Sequence, residues 1–98
     1  MLTKKLIEEA VRVYIAQQNH PASQVEARTK DFFDIKGIVN ELYQKMLKYP
    51  KELLDGEVSM IVNHVLHNAE TNANTFARWK VSTMDIAEGY NEYVLTNN

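Results

Sequence analysis

An all-α fold, a compact antiparallel bundle of about four helices forming one domain over residues 1–98, is predicted by three observations. The first is an apolar stripe at Val25, Phe32, Ile35, Val39, Leu42, Met46 and Tyr49, with Arg28 in the slot that breaks it. The second is a similar stripe at Val58, Val62, Val65, Ala69, Phe76 and Trp79, with Asn72 in the gap. Steps of three and four residues put one side of a helix against another helix. The third is the lack of any alternating, β-branched run bounded by turn residues, so no strand is expected.

The first helix is expected from about Thr3 to Gln18. Leu6, Ile7, Ala10, Val13 and Tyr14 share one broad face, and Lys4, Lys5, Glu8, Glu9 and Arg12 the other. Glu8 stands four residues before Arg12, the spacing of a weak surface ion pair. Pro21 ends this segment, because the residue before a proline avoids the helical region.

The run Ser23-Gln24-Val25-Glu26 reads as a capping box, in which serine accepts from the Glu26 amide and the carboxylate reaches back. The second helix continues from Ser23 to Tyr49 and stops at Pro50. A straight helix of that length would extend about 40 Å at roughly 1.5 Å per residue, longer than a compact domain of this size. A kink or break near Gly37, with Asp34 as a fresh cap, resolves this; a second copy of the chain covering the overhang, in a homodimer, is the alternative.

Residues 50–56 form the connection, with one helical turn at Lys51 to Leu54. The third helix starts near Gly56 or Glu57 and is secure to about Asn68. Glu70 to Thr75 is poor helix material, since Asn and Thr side chains compete for the backbone, yet the apolar phase carries through to about Lys80. Ser82-Thr83-Met84-Asp85 caps the last helix, which runs to about Leu95 with Ile86, Ala87, Tyr90, Tyr93 and Val94 on one face.

Composition narrows the function classes. Hydrophobic residues at 45% and charged residues at 24% suit a folded globular chain rather than a disordered one. Cysteine is absent, so disulfides, thiolate zinc sites and cysteine nucleophiles are excluded, and a reducing, cytoplasmic setting is expected. Glu8 and Glu9 interrupt any apolar run near the start, so neither a secretory leader nor a membrane span is expected. The net charge of -2 offers no basic face for nucleic acid, and the cluster Lys45, Lys48 and Lys51 falls where cations complement a helix C-terminus. The nine asparagines, with few prolines and glycines, suit an AT-rich genome.

No catalytic constellation is present: no phosphate-binding glycine loop, no Gly-x-Ser-x-Gly and no His-Glu-x-x-His. Asp31 to Gly37 lacks the acidic positions of a calcium loop, and the segment Asp85 to Tyr93 is too short for a helix-turn-helix. His64 and His67, with Glu70, have the types of side chain that hold zinc, but they point away from the apolar centre at Val62. No metal, cofactor or enzymatic activity is therefore expected.

The outward stripe Met60, His64, His67, Thr71 and Asn74 is weakly charged, in contrast to Glu26, Lys30, Asp34, Glu41, Gln44 and Lys48 on the second helix. Such a stripe suits contact with another protein. Tyr43, Tyr49, Tyr90, Tyr93, Phe76 and Trp79 are expected mainly in the core, with Trp79 and Tyr93 the candidates for exposed aromatic anchors. Asn72, at a seam position, is either buried against Arg28 or Thr29 or part of a loop.

The resulting expectation is a non-enzymatic protein-binding domain of the adaptor, accessory or inhibitor type, using Met60, His64, His67, Thr71, Trp79 and Tyr93. Size and architecture are comparable with small helical accessory proteins of phages and mobile elements and with bacteriocin immunity proteins, although the latter tend to be basic and no motif is shared. The alternative is a nucleic-acid-associated regulator whose dimer assembles a basic surface from Arg28, Lys30 and Lys36.

Overall fold

Residues 1–17, 35–73 and 81–97 are described by a computed structural model. They form four helices: α1 Lys4–Ala16, α2 Ile35–Met46, α3 Asp55–Ala73 and α4 Thr83–Asn97. The architecture is an all-α helical bundle, as the stripes predict. The Ser23–Glu26 capping box, Arg28, Phe32, the Asp34 cap, Phe76 and Trp79 lie outside the described residues, as does the continuity of the second helix before Ile35.

The starts of α1, α3 and α4 have local causes. Thr3 takes an extended conformation and accepts from the Leu6 amide at 3.0 Å, capping α1. At α3 the Glu57 carboxylate reaches back to the Leu54 amide at 3.1 Å, which moves the start to Asp55, slightly ahead of expectation. Ser82 and Asp85 cap α4 reciprocally: the Ser82 amide donates to Asp85 at 3.0 Å and the Asp85 amide donates to Ser82 at 3.2 Å. Helix α2 ends at Met46 rather than Tyr49, as its last bonds tighten to the three-residue type (Lys48 amide to Lys45 carbonyl, Tyr49 amide to Met46 carbonyl) before Pro50. Residues 51–54 make no helical turn; the connection is seated by the buried Leu53. Helix α3 does run through residues 70–73, so the doubtful Asn- and Thr-containing segment is helical that far.

Among the described residues the helices meet as α1–α2, α1–α3, α2–α4 and α3–α4, with α3–α4 the most extensive pair. Helices α2 and α3, though consecutive, face each other diagonally. Lys4 lies over the Tyr43 ring at 5.5 Å while Arg12 shares a cleft with Lys36, so α1 and α2 are antiparallel. Val65 faces Gly89 while His64 faces Glu92, so α3 and α4 are antiparallel too. The Met1 amino group lies 3.5 Å from Asp55 at the starts of both helices, and Val13 shares a cleft with Asn63, so α1 and α3 run parallel.

Two neighbours per helix widen every buried arc. On α3, Val58, Val62, Val65 and Ala69 are fully buried as the stripe requires, but so are Ile61 and Leu66 on either flank. On α2, Ile38 joins Val39, Leu42 and Met46 in the core. On α1 the buried set is Ile7, Ala10, Val11, Tyr14 and Ile15, whereas Val13 is 52% exposed. The expected face is thus rotated by about 60° at 100° per residue, because α1 must contact α2 and α3 together. On α4, Gly89 joins Ile86, Tyr90 and Tyr93, while Ala87 and Val94 are half-buried.

Gly89 marks a close approach of two helices: a Cβ placed there would lie 3.1 Å from Val65 Cα and 3.4 Å from its carbonyl oxygen. Both are backbone atoms, so only a shift of a helix relieves the overlap. Gly56, by contrast, has nothing within 4 Å of an added Cβ. Urea denaturation should therefore separate the two glycines. Gly89→Val is expected to lose about 1–3 kcal/mol through overpacking, while Gly56→Ala gains about 0.5 kcal/mol from helix propensity. Equal effects would contradict the close packing at Gly89.

Candidate functional site

Helix α3 carries no Lys, Arg, Asp or Glu from Val58 to Ala69, more than three turns. Its outward residues there are Ser59, Met60, Asn63 and His67, all exposed, with Met60 at 56%. Each of the other outward faces carries charge: Lys4, Lys5, Glu9 and Arg12 on α1, Lys36 beside Asn40 and Gln44 on α2, and Glu88 and Glu92 between the exposed Met84 and Leu95 on α4. Beside the uncharged face, α1 and α3 enclose a cleft of about 360 Å³ lined by Leu6, Ala10, Val13, Gln17, Ser59 and Asn63, with Glu9 its one charged residue. Val13, which the sequence places on the core side, instead exposes an isopropyl group at this cleft. Two apolar side chains, Val13 and Met60, thus stand among hydroxyl and amide groups.

Of the six residues expected to bind a partner, Met60 and His67 are exposed as required. His64 is not outward. Its Nε2 lies 3.1 Å from Glu92 Oε1, and its ring meets Tyr93 edge-on, with centroids 5.6 Å apart at 68°. Measured from Val62 alone His64 faces solvent, but the buried arc extends to Ile61, which places His64 on the flank covered by α4. Its Nε2 is enclosed and poorly aligned for a hydrogen bond to that carboxylate, so the contact is an ion pair only when the imidazole is protonated. The half-exposed pair contributes at most about 1 kcal/mol.

Tyr93 is 6% exposed and therefore presents no aromatic anchor to a partner. It belongs with Tyr49 and Tyr90, also buried, where α2 ends against α4. The Tyr90 hydroxyl donates to the Lys45 carbonyl at 3.1 Å, a second bond to an acceptor that already takes the Lys48 amide, and so ties α4 to the last turn of α2. Thr71 and Asn72 are on the helical backbone of α3, but their side chains lie outside the described residues, as do Trp79, Asn74, Arg28 and Lys30. Among the described residues no three His, Cys, Asp or Glu side chains converge on a metal site, and no helix is long and apolar enough to cross a membrane.

Burial raises the pKa of the Tyr90 and Tyr93 phenols above the ordinary 10.0, reinforced by Tyr49 and, for Tyr93, by Glu57. A raised pKa in the folded state gives stability that is complete below the unfolded value and lost as pH rises through the folded one. The melting temperature should therefore fall above about pH 10, together with the appearance of tyrosinate absorbance. Tyr93→Phe should flatten the fall, and an unchanged slope in that variant would show that the ring titrates freely.

The chain matches no protein-family model, no curated protein and no solved structure, so the functional reading rests on this geometry.

Proposed function

We propose that the chain is a non-enzymatic binding domain that recognises another protein through the outward face of α3 and the adjoining α1–α3 cleft. The observation that carries this reading is the uncharged surface from Val58 to Ala69 with Met60 exposed in its first turn. An exposed face on a charged bundle normally carries Lys, Glu or Arg, because they hydrate well and favour helix. Here serine, asparagine, histidine and methionine stand in their place, groups that lose little on leaving water when matched by a partner. Methionine also adapts its shape to an irregular surface. The polar groups around the cleft, Gln17, Ser59 and Asn63, suit hydrogen bonds that fix orientation.

Covering the exposed part of Met60 contributes about 1–2 kcal/mol, or five- to thirtyfold in affinity. Capture from lysate of the source cell with wild-type bait, Met60→Glu, Val13→Glu and the distant control Lys5→Glu tests the assignment. A protein retained by wild type and Lys5→Glu but lost from the Met60→Glu and Val13→Glu baits, with unchanged circular dichroism in all four, is the expected result. Retention by the Met60→Glu and Val13→Glu baits would remove this face from consideration.

A further inference from the structure

A second surface, chemically unlike the α3 face, lies on the opposite flank of α1. Between α1 and α2 runs a cleft of about 520 Å³ lined by Lys4, Glu8, Arg12, Ile35, Lys36 and Val39. It gathers three cations against one carboxylate, in a chain whose net charge is -2. The carboxylate is engaged: Glu8 Oε2 accepts from Arg12 Nε at 2.9 Å, which occupies one of the five N–H donors of the guanidinium. Lys4 is held by the Tyr43 ring, 5.5 Å from its ammonium. The half-buried Ile35 and the buried Val39 supply an apolar floor.

We propose that this cleft docks an extended acidic segment of a protein partner, with carboxylates at its two ends and an apolar side chain between them. The spacing sets the pattern. Lys4 and Arg12 are eight residues apart, about 12 Å along the helix axis. An extended peptide advances about 3.3 Å per residue and presents alternate side chains on one face. Residues at i and i+4 therefore reach the two cations, and residue i+2 lies over Ile35 and Val39. Glu8 sits midway between Lys4 and Arg12, so an acidic residue at i+2 is repelled and an apolar one is accepted. Lys36, opposite Arg12, doubles the positive charge at one end and orients the segment.

The test is a titration of the isotope-labelled full chain, in low salt, with a capped peptide containing Glu-Ala-Leu-Ala-Glu. Its readout is backbone amide shifts. Expected are shifts confined to residues 4–12 and 35–40, absent when both peptide glutamates are glutamine. Binding should weaken at least about fivefold in Lys36→Glu and again at about 0.3 M salt. Absence of shifts, shifts in other residues, or undiminished binding to Lys36→Glu would overturn the proposal. So would stronger binding of a single-stranded oligonucleotide to these residues, which would assign the cleft to a phosphate backbone. Met60→Glu leaves this cleft intact, so its titration succeeds or fails independently of the α3 face.

Discussion

The packing of this bundle depends on the place where α4 lies directly on the backbone of α3, at Gly89 over Val65. A glycine inside a helix costs about 1 kcal/mol relative to alanine. Here the absent Cβ lets the two axes approach, and the approach carries the rest of α4 into position. Ile86 enters the core, Tyr93 closes over His64, and Tyr90 reaches the last turn of α2. Through that last contact α4 joins the two hairpins into one ring of helices, although α2 and α3 lie on its diagonal.

Polar demand is met mostly at the helix ends. Thr3, Glu57 and the Ser82–Asp85 pair cap the starts of α1, α3 and α4 within their own segments, and Tyr90 serves an acceptor at the end of α2. Among the described residues the buried side chains are apolar ones and tyrosines, with no charged or amide side chain fully buried, so the core rests mainly on shape and apolar area. The enclosed Nε2 of His64 and Nδ2 of Asn68, one turn apart on the flank of α3, are the exceptions at the level of single atoms. With a core of this kind, chemical recognition falls to the outward faces and the clefts between helices.

Helix α1 separates two such surfaces. One flank, through Ala10 and Val13, borders the uncharged α3 face; the other, through Lys4, Glu8 and Arg12, borders the cationic α2 cleft. The same rotation of α1 creates both. Turning Val11 and Ile15 into the core brings Val13 out on one side and leaves the charged residues along the other. A surface that hides its apolar groups by matching polar ones and a surface that attracts by charge differ in salt dependence, which makes them separable in solution.

The sequence by itself determined the all-α class, the existence of the helices around Lys4–Ala16, Ile35–Met46, Asp55–Ala73 and Thr83–Asn97, the Ser82–Asp85 cap and the Glu8–Arg12 pair. These follow from period, capping chemistry and i to i+4 spacing, all of which act within a few residues. The exposed Met60 and His67 were legible for the same reason. Only the tertiary structure decided which helices are neighbours, and therefore how wide each buried arc is. A seam one helix wide predicts Val62 and Val65 but omits Ile61, Leu66 and Ile38, leaves Tyr93 a candidate anchor and sends His64 into solvent. The errors on α1, Val13 placed on the core face and the buried Val11 and Ile15 left off it, have the same origin: periodicity fixes the pitch of a face, but its direction is set by the two helices that must both be touched.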